Sequence, residues 1–146
     1  MRTLFVAEPP RPWIDLPKLV VDASVLASFV FAEPNRDEAE AQMRGRGLCA
    51  PALIDYELAN VALNKIRGKA VSIDHAARSL AHFADLDVER WEADPGELVR
   101  IGEEYGLSAY DASYLWVAGH LRVPLATFDG RLAAAAVLYL KQLTAS

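Results

Sequence analysis

Along most of the chain, short apolar runs alternate with stretches of helical period. Leu19-Val20-Val21 is β-rich and too short for a helix, and it runs through Asp22 into the helical spacing of Val25, Leu26, Phe29 and Val30. This predicts a strand feeding a helix. Pro34 opens a charged helix to about Met43, and the glycines at 45 and 47 end it before a short strand from Leu48 to Ala50. Leu53 to Ile66 reads as a helix whose inner face carries Ile54, Leu58, Val61 and Ala62, with Gly68 at its end. Ser72 caps a further helix through Ile73, Ala76, Ala77, Leu80 and Phe83. Val88 to Trp91 is a candidate strand, Pro95 to Tyr105 and Ser108 to His120 are helices, and Leu125 to Phe128 is a strand. Arg131 begins a last helix ending between Ala136 and Leu143. Strands and helices in alternation predict an α/β fold around a parallel sheet.

The first residues depart from this rhythm. Pro9, Pro10, Pro12 and Pro17 forbid helix and suit an extended arm, so residues 1 to 17 form an expected proline-rich extension and residues 18 to 146 the folded domain. A chain of 146 residues fits one domain with a full core. Hydrophobic residues make up 53% of it but are interleaved with charge, and no segment offers the run of ~20 apolar residues a spanning helix needs. Glu8 and the prolines also break any signal-peptide core, so a cytoplasmic protein without a membrane partner is expected. Cys49 is the only cysteine, which excludes an internal disulfide and a thiolate metal cluster; in Leu48-Cys49-Ala50 it reads as a buried, inert thiol. The net charge of -5 argues against a nucleic-acid partner unless acids hold cations that reverse the local sign where a phosphate docks.

Four acids carry the candidate chemistry. Asp22 follows the strand expected at the centre, where open parallel sheets gather ligands, although capping the next helix is an equally good use of it. Ser24 either steadies a ligand or satisfies a backbone amide. Glu57 stands among Leu53, Ile54 and Val61 on an inward stripe, with Asn60 extending the polar line; the alternative is a helix edge where it reaches solvent or pairs with Lys65 or Arg67. Asp111 lies three residues after Ser108, the capping-box spacing, which is compatible with offering an oxygen elsewhere. Asp129 repeats the geometry of Asp22 after the late strand, with Asp-Gly turn chemistry as its plainer role. Two acids ending strands at one sheet edge, and two on helices packed beside it, would converge. Such hard oxygen donors suit Mg²⁺ or Mn²⁺ and phosphoryl displacement. His75, His82 and His120 are too scattered to compete. Lys65, Arg67 and Lys69 read as a solvated basic face, with phosphate contact as the rival use.

Four stretches resemble the PIN-domain nucleases, especially the toxins of VapBC toxin-antitoxin pairs. Leu19 to Leu26 resembles the family's opening strand and first acid, Ile54 to Val61 its helix-borne Glu, and Leu107 to Leu115 its third acidic motif. Leu125 to Leu132 resembles the last motif, with Thr127 matching a hydroxyl often found near the metal. The resemblance covers about Lys18 to Leu140. It implies a three-layer α/β/α sandwich with a five-stranded parallel sheet. It also implies metal-dependent endonucleolytic cleavage of RNA with Asp22, Glu57, Asp111 and Asp129 as metal ligands, a homodimer, and a cognate antitoxin. The proline-rich arm is extra to the family pattern, and its usual closing strand is blurred, since Ala133 to Lys141 is rich in helix formers. Alternatives are a PIN nuclease of RNA processing outside a toxin-antitoxin pair and a non-catalytic PIN-like scaffold. A phosphotransfer fold with Asp22 as nucleophile lacks its supporting residues, since Ser24 stands where a phosphatase of that kind has a second Asp, and the absence of a Gly-rich phosphate loop argues against nucleotide binding by a P-loop or dinucleotide fingerprint.

Overall fold

The structure, a computed structural model, describes residues 2–8 and 18–145. The expected extended run of prolines 9 to 17 lies outside the described residues. In chain order the elements are β1 (Phe5–Ala7), β2 (Lys18–Val21), α1 (Ala23–Val30), α2 (Arg36–Met43), β3 (Gly47–Pro51) and α3 (Ile54–Arg67). They continue with α4 (Ile73–Asp85), β4 (Glu89–Trp91), α5 (Pro95–Tyr105), α6 (Ala109–Leu121), β5 (Leu125–Thr127) and α7 (Gly130–Ala145).

The five strands form one sheet in the order β1-β5-β2-β3-β4. β2 pairs in parallel with β3 on one side and β5 on the other, and β4 extends β3 in parallel. β2 is therefore the central strand, as its wholly apolar run Leu19-Val20-Val21 requires; all three residues are fully buried. One feature differs from an all-parallel sheet. β1 lies antiparallel against β5, with Phe5 opposite Thr127 and Ala7 opposite Leu125. The fifth strand thus comes from the N-terminal arm and not from the end of the chain, where Gly130–Ala145 is one continuous helix. Leu132, Ala133, Ala135, Ala136, Tyr139 and Leu140 recur at helical spacing along it and are buried, which a strand's twofold alternation could not achieve.

By their mutual packing the helices form two sets, α1 to α4 and α5 to α7, with the sheet between them. α6 and α7 approach closely at Gly119, where a Cβ would stand 2.6 Å from a Tyr139 ring carbon and 2.7 Å from Leu143. α5 ends at Gly106, whose φ of 65° turns the chain into Leu107 and the Ser108 cap of α6. Cys49 is buried, as expected, and burial with the neighbouring Glu89 carboxylate pushes its thiol up to about 12.

The arm is tied down beyond its strand pairing. Arg2 donates to Ser28 Oγ at 2.7 Å and to Glu33 Oε1 at 2.9 Å, and its guanidinium lies 4.9 Å from the Phe128 ring centre. The buried Asn35 side chain clasps the Arg2 backbone, donating to its carbonyl at 2.7 Å and accepting from its amide at 3.3 Å. Lys65 reaches the same Glu33 at 2.6 Å. Burial alone would raise the Glu33 carboxyl, but the hydrogen bond and charge of Lys65, with help from Ser28 and Arg2, hold it below the usual carboxylate range.

Candidate functional site

β2 and β5 end side by side: Val21 pairs with Ala126, and the Asp22 amide donates to the Ala126 carbonyl. Asp22 follows directly on β2 and is only 7% exposed. Its Oδ1 accepts from Ser24 Oγ at 2.6 Å and from the Val25 amide at 3.1 Å, so it does cap α1. Its Oδ2 accepts from Thr127 Oγ1. Capping and a further role are not rivals here, because a carboxylate has about four lone-pair sites. The two hydroxyls are themselves fixed from β5, since Ser24 Oγ accepts from the Phe128 amide at 3.1 Å and Thr127 Oγ1 from the Asp129 amide at 2.9 Å. Two hydroxyls and two amides thereby lock the ends of β2 and β5 together around one carboxyl.

Glu57 sits in the first turn of α3, half-buried, and accepts from the Tyr114 hydroxyl of α6. The alternative of pairing with Lys65 is not realised, as Lys65 is engaged by Glu33. Asp111 occupies the first turn of α6, where its amide donates to Ser108 Oγ at 3.1 Å and its half-buried carboxyl also feels the Ser108 hydroxyl. Asp129 is exposed and takes the plainer role as well: Oδ1 accepts from the Arg131 amide at 2.9 Å and the Leu132 amide at 3.3 Å, securing the start of α7.

The four acids feel one another's charge around a closed ring. Burial first, and then the Asp129 charge, raise the Asp22 carboxyl against the lowering effect of its three donors. Burial raises Glu57, Tyr114 partly offsets this, and the charges of Asp22 and Asp111 add to the rise. Burial and the Asp129 charge raise Asp111, while Ser108 and the Arg131 cation oppose it. Glu57 therefore lies in the field of Asp22 and Asp111, and those two both lie in the field of Asp129. Among the described residues no three His, Cys, Asp or Glu side chains form a ready-made metal cage.

Tyr114 and Arg131 are the participants that reading the sequence missed. Tyr114 lies within the stretch Leu107 to Leu115 without a polar signal of its own, although its place three residues after Asp111 puts both on one face of α6. Arg131, which donates to the Gly106 carbonyl, carried no signal beyond following Asp129-Gly130. The three histidines are exposed and stand apart from the ring; His120 stacks on Trp116 with ring centres 4.6 Å apart.

Residues 19–138 match the PIN domain, and the chain belongs to the PIN-domain family. Among characterised relatives it is similar to Ribonuclease VapC12 of Mycobacterium tuberculosis, 28% identical over 115 residues that make up 79% of this chain and 89% of that one. It is also similar to Ribonuclease VapC3 of Pyrobaculum aerophilum, 30% identical over 121 residues, 80% of this chain and 92% of that protein. The crystal structure of PAE2754 from the same archaeon superposes with a TM-score of 0.66 at 27% identity, covering 88% of this chain and 90% of that one.

Proposed function

We propose that the protein is a metal-dependent endoribonuclease, the toxin of a type II toxin-antitoxin pair, with Asp22, Glu57, Asp111 and Asp129 as its metal ligands. The observation that carries this reading is the gathering of charge: carboxyls from β2, α3 and α6 are raised, first by burial and then by neighbouring acids that include Asp129 at the end of β5, in a family whose relatives are named ribonucleases. The donor set fits a hard divalent cation, because it consists of oxygens alone, with no histidine or thiolate beside it. When bound, Mg²⁺ or Mn²⁺ would lower the pKa of water and neutralise charge on a phosphodiester. The protein's own part is positional. Ser24 and Thr127 hold Asp22 at the sheet end, Tyr114 orients Glu57, and the Ser108 cap fixes the turn that presents Asp111. In hydrolysis the water oxygen joins phosphorus as a ribose oxygen leaves, and the carboxylates accept the proton that water loses.

A homodimer and a cognate antitoxin belong to the same reading. A ring of like charges invites a cation, so an antitoxin Arg or Lys entering it would stop cleavage. Light scattering at the mass of one 16.0 kDa chain, or an antitoxin complex that still cuts RNA, would remove the corresponding partner. The enzyme itself is tested by RNA cleavage with Mg²⁺ or Mn²⁺ and with EDTA. Asp22→Asn and Asp111→Asn should each lower the rate by on the order of 10²-fold or more while remaining folded. Cleavage that survives EDTA, or near-normal rates in both variants, would overturn the proposal.

A further inference from the structure

Two tyrosines border the acid ring and are given almost entirely to solvent. Tyr56 is 80% exposed and Tyr110 68%, whereas Tyr114 and Tyr139 are buried. Each immediately precedes a member of the ring, Glu57 in the first turn of α3 and Asp111 in the first turn of α6. The two rings, from helices far apart in sequence, line one cleft of about 410 Å³ together with Leu53, Glu57 and Asn60. Neither ring is needed for packing at these positions, and an exposed aromatic forgoes the burial that ordinarily favours it.

The charge of the molecule makes such a surface useful. With a net charge of -5 and four acids at the ring, the protein's own charge opposes RNA binding driven by counterion release at the phosphates. Stacking of a base on an aromatic ring needs no charge and accepts any base, but it requires a base face that is free of a duplex. Asn60, one turn after Tyr56 in the same cleft, adds an amide able to donate to and accept from a base edge.

We propose that Tyr56 and Tyr110 form a stacking clamp for unpaired nucleobases next to the phosphodiester presented to the acid ring, with Asn60 reading a base edge between them. This rests on the ribonuclease reading above. The clamp sets where the strand lies and which bases are tolerated; the chemistry stays with the acids.

The test uses the full chain, a short single-stranded oligoribonucleotide, and the same strand annealed to its complement. Tyr56→Ala and Tyr110→Ala, both at exposed positions where substitution costs little stability, should each raise KM roughly 5- to 100-fold with kcat within about twofold. Tyr56→Phe and Tyr110→Phe should behave as wild type, and the salt dependence of binding should be unchanged in all four, since no phosphate contact is lost. The annealed strand should be a poor substrate throughout. KM values for the alanine variants within twofold of wild type would overturn the clamp, as would phenylalanine variants as defective as alanine ones, which would assign the role to the hydroxyl. Loss of self-association in the alanine variants with RNA kinetics intact would assign the face to a protein and also overturn it. If wild type cleaves no RNA, the ribonuclease reading fails, and quenching of 2-aminopurine in the single strand then decides the clamp: quenching lost in the alanine variants sustains it, and no quenching by wild type removes it.

Discussion

Tyr114 is a buried residue whose hydroxyl serves an acid. The ring packs in the core, and the hydroxyl donates to Glu57 while burial and that carboxylate push its own pKa far up, so it remains a donor at any working pH. Tyr114→Phe keeps the packing and frees Glu57 to turn. Metal affinity should fall on the order of 10-fold or more, as it does when outer partners of ligands are removed, and excess Mn²⁺ should restore most of the rate. A variant whose metal titration overlays wild type would show that Glu57 needs no such support. Glu57 itself gives a pH test. Its folded carboxyl is held above the ordinary value of 4.5, chiefly by burial. Between that value and the raised one the folded chain binds more protons than the unfolded chain, so its contribution is full below about pH 4 and is lost as pH rises through the folded pKa. Glu57→Gln should therefore raise the metal-free melting temperature at neutral pH by a few degrees, with the gain vanishing in acid. Equal melting of variant and wild type at neutral pH would mean that Glu57 bears no strain.

Among the elements, the N-terminal arm is where sequence and structure part. Apolar runs mark β2, β3 and β5, which are buried, and most of the helices through their spacing, whereas β4 at the sheet edge is exposed and is flagged only by the buried Val88 before it. Asp22, Glu57, Asp111 and Asp129 were legible for the same reason: each interrupts such a run where a strand ends or a helix begins. β1 has no such pattern, being three residues in which only Ala7 is fully buried. What recruits it is the open edge of β5 together with partners remote in sequence, Ser28, Glu33 and Asn35, which no local window connects. Thr127 shows what is at stake, since it bears on Asp22 from a strand whose other neighbour is β1. Asn35→Ala would leave the Arg2 backbone without its clasp and should cost about 1–3 kcal/mol. If the arm supports β5 as the pairing indicates, the melting temperature should drop by several degrees, and removal of residues 2–8 should produce at least that drop. A truncated protein as stable as the full chain would make the arm an appendage.

At the scale of the whole molecule, the site puts stability and binding in opposition. The core is continuous from Ala7 to Leu140, and ion pairs such as Lys65 with Glu33 hold the surface, but four like charges meet at one end of the sheet. Hydroxyl and amide donors surround Asp22 and relieve part of that repulsion, and a divalent cation would relieve the rest. An ion that binds only the folded chain at 100 times its dissociation constant adds about 2.7 kcal/mol. For a domain of this size that corresponds to a rise of roughly 5 to 11 °C in melting temperature. Millimolar Mn²⁺ should therefore shift wild type upward relative to EDTA, with a much smaller shift in Asp22→Asn and Glu57→Gln, each of which lacks the charge of one proposed ligand. Because Glu57→Gln begins from a higher metal-free melting temperature, the two curves should converge or cross as Mn²⁺ is added. Parallel curves, with equal shifts in all three proteins, would place the bound ion away from these acids and dissolve the ring as a single site.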